Sequence, residues 1–185
     1  GLSGILIDES QGGAGLGMLD AMVGSEALGY AACPGPFLSS SIMAAHYLSV
    51  VGDSDSLTGI ASGQHRVGIA FGALTGDRSR DVVREERGRL EGRSLFALDA
   101  DASAYLVATA EGTVYWVDTA DLSRRALPTI DGTRSICELV FDPPPANRLS
   151  DDEPIALATL HRGRAIQAAD SLGAAQYMLD QAVAY

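Results

Sequence analysis

Residues 92–118 read GRSLFALDADASAYLVATAEGTVYWVD, and the division of this stretch decides the fold. Ser94 to Leu98, Ala104 to Thr109 and Thr113 to Val117 are short runs rich in β-branched and aromatic residues, which predicts three strands of a small antiparallel sheet. Asp99-Ala-Asp-Ala-Ser103 between the first two reads as a loop. Glu111-Gly112 between the second and third reads as a tight hairpin, because glycine reaches positive φ without a Cβ clash. Alternation places Val114 and Trp116 on one face and Thr113, Tyr115 and Val117 on the other. Neither face is wholly polar, so the ribbon is expected to be covered on both sides by the helical segments that flank it.

Outward from this centre the pattern changes in both directions. Upstream, Leu19, Met22, Val23, Ala27 and Leu28 recur at helical spacing through Tyr30, with Gly29 and Pro34-Gly-Pro36 as the expected stop. Ser39-Ser-Ser41 reads as the cap of a second helix carrying Ile42, Met43, Leu48 and Val51, and Ser54 or Asp55 as the cap of a third that ends at Gly63. Val67-Gly-Ile-Ala-Phe71 has the length and composition of a buried strand, closed by Gly76-Asp77. Downstream, Ile136, Glu138 and Val140 alternate with Cys137, Leu139 and Phe141 until Pro143-Pro-Pro145 stops the strand. Ser150-Asp-Asp-Glu-Pro154 starts a long helix whose apolar stripe, Leu157, Leu160, Ile166, Ala169, Leu172, Leu179 and Val183, runs to the last residues. The chain is thus read as α+β: N-terminal helices, a middle antiparallel β-barrel-like unit, and one long helix that needs packing partners from elsewhere.

Composition narrows the function. The chain has 185 residues, 46% hydrophobic and 20% charged, as in soluble globular proteins. Its net charge is −11, from 24 acidic and 13 basic residues, and every basic residue is Arg. Nucleic-acid binding draws its affinity from neutralising phosphates, so this balance argues against it. The only basic run, Arg78 to Arg93, is interleaved with acids and reads as a solvated, salt-bridged segment. Apolar runs fall short of a membrane span. Cys33 and Cys137 are expected as buried reduced thiols of a cytoplasmic protein, with one disulfide as the alternative.

Catalytic signatures are sparse. The loop Gln11-Gly-Gly-Ala-Gly-Leu-Gly17 fails the GxGxxG spacing, since Met18 and Asp20 stand where the third small residue belongs, and so reads as a turn that lets backbones approach. His46, His65 and His161 have no ligand spacing, and Ser39 to Ser41 form no nucleophile elbow. Asp99 and Asp101 read as turn formers rather than a paired-carboxylate centre. No catalytic residue and no metal ligand emerges from these patterns.

A resemblance goes further. Gly4-Ile-Leu-Ile-Asp-Glu-Ser-Gln-Gly-Gly-Ala-Gly-Leu-Gly-Met-Leu-Asp20, Ser25-Glu-Ala-Leu-Gly29 and Pro34-Gly-Pro-Phe37 resemble the second half of the N-terminal helical domain of acyl-CoA dehydrogenases. Asp131-Gly-Thr-Arg134, Leu139-Val-Phe-Asp142 and Ala169 to Tyr185 resemble the end of that family's middle β domain and the first helix of its C-terminal bundle. The resemblance implies a fragment of a longer chain, with residues 1–63 a partial N-terminal helical domain, 64–149 the middle β domain, and 150–185 the start of the C-terminal helical domain.

It also implies FAD held between the β domain and the C-terminal bundle, and oxidation of an acyl-CoA thioester to its 2-enoyl form. A carboxylate base takes the α-proton and flavin N5 accepts hydride from the β-carbon. An electron-transfer acceptor and a homo- or hetero-oligomer are the expected partners. Leu74 and Thr75 fall in the flavin-side turn, where Gly76 and Asp77 replace the family's Glu-Pro. Phe96 falls at a flavin-flanking aromatic. Leu98 falls where many members place a Ser or Thr that approaches flavin N5, a hydrogen bond Leu cannot make. The base is expected beyond Tyr185. With the short segment between Thr75 and Arg89, these departures imply an alternative, a flavin-poor, non-catalytic partner subunit like those of actinobacterial sterol side-chain enzymes. A plain β binding module flanked by helices is the third class.

Overall fold

A computed structural model describes residues 1–75, 82–142, 144–145 and 147–185. The readings of Gly76-Asp77, of Arg78 to Asp81 and of Pro143 lie outside the described residues. The hairpin expected around Gly112 is present: Ala104–Ala108 (β4) pairs antiparallel with Val114–Asp118 (β5), and the turn is closed by the Thr109 amide on the Thr113 carbonyl at 2.9 Å. Gly112 has φ of 87° and lies so close to Glu153 that an added Cβ would come within 2.4 Å of it.

Arg89–Leu98 (β3) does not pair with β4. Val67–Ala70 (β1) lies between them, antiparallel to β3 at Ile69–Leu98 and parallel to β4 from Val67–Ala104 to Ala70–Val107. The described strands add Val82–Glu86 (β2), Ser123–Leu127 (β6), Ile136–Phe141 (β7) and Asn147–Ser150 (β8). They form one ladder in the order β6-β7-β3-β1-β4-β5-β8, with β2 on β3. The sheet is therefore mixed, not purely antiparallel. Local alternation fixes which residues share a face, but not which strand is the neighbour. Gly68 admits the insertion, since a Cβ there would lie 2.3 Å from the Tyr105 ring on β4. β2 and β3 form a hairpin through Arg87 and Gly88, both at positive φ, where a solvated segment was expected; their exposed charges fit the second half of that expectation. β6 carries no apolar alternation and was not anticipated.

The two faces divide as predicted, but their covers do not. Val67, Ile69, Leu106, Val114 and Trp116 pack with Met43, Tyr47, Leu48, Ile60 and Leu160 of the helices. The opposite face joins Tyr105, Val107, Tyr115 and Val117 to Leu90, Cys137, Leu139 and Phe141 in a cluster that, among the described residues, is made of strand and loop residues. The sheet covers this face itself. Tyr105 Oη lies 3.3 Å from Cys137 Sγ although β4 and β7 are three places apart in the ladder, roughly 14 Å in a flat sheet, so the sheet must curl.

The helical layer consists of Met18–Tyr30 (α1), a π-helical turn at Phe37–Ala44 running into Ala45–Val51 (α2), Ser54–Ser62 (α3) and Glu153–Ala184 (α4). Ser39, Ser40 and Ser41 do not cap. They are buried within the π turn, and Ser40 Oγ accepts the Val67 amide at 3.2 Å. Asp53, one residue before the expected caps, accepts the Ser56 amide at the start of α3. Ser150 lies in β8, and α4 begins three residues later.

Gly29 does not end α1 but sits inside it at the crossing with α4. A Cβ on Gly29 would meet the Asp170 carbonyl at 2.0 Å, and one on Gly173 the Glu26 carbonyl at 1.9 Å, so two glycines set the approach of the helices. Of the α4 stripe, Leu160, Ile166 and Ala169 are buried, whereas Leu157, Leu172, Leu179 and Val183 are exposed. The N-terminal run Ile5-Leu-Ile7 forms turns around a 3₁₀ helix at Leu2–Gly4, and Gly13 lies where a Cβ would be 2.0 Å from the Ile7 carbonyl. The close-approach reading of the glycine loop is thereby met. Both cysteines are free, with Cys137 buried as expected but Cys33 exposed.

Candidate functional site

The residues that line the main cavity are aimed into it by a defect in the sheet. β3 pairs with β7 at Ser94–Leu139 and again at Ala97–Cys137, so β3 carries one extra residue between the two pairs. Ser94 and Ala97, both fully buried, face the strand-lined core. Leu95, Phe96 and Leu98 all reach the opposite side, which strict alternation would not allow. There they line a cavity of about 510 Å³ between the sheet and the helices. Met43 of the π turn, Ile69, Phe71 and Leu160 of α4 form its buried part, while Phe96, 64% exposed, stands at its lip. A volume of this size suits a small organic ligand.

Thr75, Phe96 and Leu98, singled out from the sequence, are brought together on this cavity. Leu74 is not; it is partly buried against the core behind a 3₁₀ turn at Gly72–Leu74. Among the described residues Thr75 is the one hydroxyl in the lining, and its Oγ1 donates to the Gly72 carbonyl at 2.9 Å. Among the described residues of the wall there is no charged side chain. A flat conjugated ring matches these hydrocarbon walls, and a diphosphate does not. Met43, Ile69, Phe71, Leu127 and Leu160 were not anticipated as lining residues, because their sequence signal is only that of a core.

Leu98 also forms part of a second, polar cavity of about 380 Å³, beside Arg66, Asp99, Asp101 and Arg134. Asp99 is more than a turn residue. Its φ of 76° fits the turn reading, but its carboxylate is buried and takes Arg66 Nε and a terminal nitrogen, each at 2.6 Å. That hydrogen bond holds the Arg66 guanidinium above its usual range. Asp101 is largely exposed, 3.6 Å from Arg66. Arg134, in the loop before β7, reaches Asp170 of α4 at 2.6 Å.

His46 and His65 serve packing, and His161 is exposed. His46 Nδ1 lies 2.8 Å from Thr159 Oγ1, which itself donates to the Ile155 carbonyl, so the imidazole is the donor there. Burial, and then the charge of Arg162, push its pKa down to about 4. His65 lies against Trp116. Burial also pushes up the Cys137 thiol, which leaves it protonated and unreactive. Among the described residues no group of three or more His, Cys, Asp and Glu could hold a metal ion, and no helix is long and apolar enough to cross a membrane.

No family model matches the sequence. Acyl-CoA dehydrogenase IpdE2 of Mycolicibacterium smegmatis is 29% identical over all 185 residues, which cover 50% of its length. The Tcur3481-Tcur3483 steroid ACAD G363A variant matches the whole chain with a TM-score of 0.84 and 26% identity, over 54% of its own chain. The ChsE4-ChsE5 complex from Mycobacterium tuberculosis matches in fold with a TM-score of 0.79 at 24% identity, again over 54% of that chain. A glutaryl-CoA dehydrogenase from Mycobacterium smegmatis, solved with FADH2, matches in fold at 0.77 and 17% identity. The chain spans about half the length of these relatives.

Proposed function

We propose, from the premise that this chain belongs to the acyl-CoA dehydrogenase family, that it serves the FAD-dependent α,β-desaturation of an acyl-CoA thioester by supplying one wall of the site. The observation that carries this is the apolar cavity where Thr75, Phe96 and Leu98 converge from two separate stretches of chain. When bound, the flavin would supply the hydride acceptor. The chain's own residues would give Phe96 and Leu98 as a surface for the ring, Thr75 as a hydroxyl at its polar edge, and Met43, Phe71 and Leu160 as walls that keep water from the reacting carbons. On this reading residues 1–63, 64–149 and 150–185 belong to three successive domains of a longer subunit. The catalytic base, the contacts to the diphosphate and the electron-transfer acceptor lie outside this wall. The similarity to a steroid ACAD favours a bulky polycyclic acyl group.

A second reading is favoured by Leu98: the chain is the flavin-poor partner in a heteromeric dehydrogenase. A Leu at the cavity wall offers the ring no hydrogen bond, and the paired names Tcur3481-Tcur3483 and ChsE4-ChsE5 are those of two-component assemblies. Purification of the full-length gene product, alone and with a candidate partner, separates the two. Visible flavin absorbance in the lone protein supports the first reading, and flavin retained only in the pair supports the second. Absence of flavin uptake in both preparations would sink the proposal. Under either reading that survives, Leu98→Thr is expected to tighten FAD retention about fivefold, the worth of one hydrogen bond of about 1 kcal/mol.

A further inference from the structure

We propose that Asp99, clamped by Arg66, is a positioning residue that fixes Leu98 at the cavity wall and links that wall to α4. The inference rests on the reading that this cavity receives the flavin. Leu98 is the last residue of β3, and the chain must turn sharply after it, with Asp99 at a φ of 76°. Side chains other than Gly, Asn and Asp rarely hold that conformation.

Four residues bind Asp99 there. Its amide donates to the Ser135 carbonyl at 2.8 Å, its carbonyl accepts from Tyr105 Oη at 2.7 Å, and its Oδ1 accepts the Asp101 amide at 3.1 Å. Arg66 closes on both carboxylate oxygens, in the geometry that makes a bidentate charge-assisted pair strong and directional. Ser135 is held in turn, since its Oγ accepts the Ala100 amide at 3.1 Å. Next to it, Arg134 is paired to Asp170 in the middle of α4. A surface turn would need none of this. The two ion pairs and the shared Ser135 instead form one path from α4 to the residue that divides the apolar cavity from the polar one.

The test uses the full-length chain in its native assembly. Asp99→Asn keeps a residue that tolerates positive φ and one acceptor for Arg66. Asp99→Ala loses both oxygens and strains the turn, and Arg66→Lys keeps the charge but not the fork. Hydrogen–deuterium exchange and FAD affinity are measured at a temperature where circular dichroism shows every variant folded. The expected result is faster exchange confined to residues 95–104 and 131–135. It comes with FAD affinity about tenfold weaker in Asp99→Ala, and about threefold weaker in Asp99→Asn and Arg66→Lys. Affinity that falls only in step with Tm, or equally in Ala and Asn, overturns the proposal, as does exchange that is unchanged or spread over the chain. If Asp99→Ala does not fold, the other two variants carry the comparison. Should the wild type take up no FAD in any assembly, it is the functional reading that fails, and the exchange pattern alone decides whether Asp99 positions Leu98.

Discussion

The two faces of one sheet are finished in different ways. On one, Tyr105, Tyr115, Leu139 and Phe141 close over each other as the sheet curls, and among the described residues the packing uses strands and their loops. On the other, the same strands present Ile69, Leu106 and Val114 to helices drawn from both ends of the chain. Helices are stiff rods that meet a twisted sheet at few points, so this second junction leaves the cavity of about 510 Å³ between the layers. The ligand-sized space follows from the mismatch of layers, and the bulge in β3 then turns Leu95 and Phe96 toward it.

The sharpest way to break this contrast is at the crossing that holds the helical layer together. Gly173→Val should cost about 3–4 kcal/mol in urea unfolding of the full-length chain, because the new side chain can fit only by separating α4 from α1. A cost near zero would mean that the helices are not locked against each other, and the cavity would lose its fixed wall.

A smaller effect sharpens the comparison directly. Leu139→Ala, on the face that seals itself, should cost about 3 kcal/mol, and Leu160→Ala, on a wall that already borders empty space, about 2 kcal/mol. Leu160→Ala should also alter binding of hydrophobic ligands while Leu139→Ala leaves it unchanged. The opposite order of costs would place the better-packed core under the helices.

The smallest effect is an acid sensitivity confined to the helical side. His46, on α2, is neutral in the folded chain, with its pKa pushed from the usual 6.5 to about 4 by burial and by Arg162. A depressed folded pKa means that the unfolded chain takes up the proton first. Its stabilising contribution is complete above about pH 6.5 and is lost progressively as pH falls toward 4. His46→Gln, which can still donate to Thr159, should show a smaller fall of Tm between pH 7 and pH 5 than the wild type. An identical fall would assign the acid sensitivity to other groups.

Much of this molecule could be read before its structure was known, and the parts that could not have a common cause. The Gly112 hairpin, the alternation of Val114 and Trp116 against Tyr115 and Val117, the buried strand at Val67, and the start of α4 near Pro154 are all set by neighbours within a few residues. The resemblance to acyl-CoA dehydrogenases likewise rested on short phrases that stand in order along the chain. Gly29 was misread because a glycine near a helix end signals a stop, whereas here it signals the approach of Asp170, 141 residues away. Ser39 to Ser41 were misread because capping is a local preference, and burial against β1 overrides it. Asp99 showed its turn role in sequence but not its partner, since Arg66 lies on the far side of a strand insertion that no local pattern encodes.

By itself the sequence determined the order of helices, central strands and long helix, the two faces of β5, and the family phrases, because all of these follow from periodicity and backbone preference over short spans. Only the tertiary structure decided that β1 lies between β3 and β4, that the sheet covers one of its own faces, and that Thr75, Phe96 and Leu98 meet at one cavity. Those outcomes depend on which distant surfaces fit together, and shape complementarity between layers is not written in any single stretch of chain.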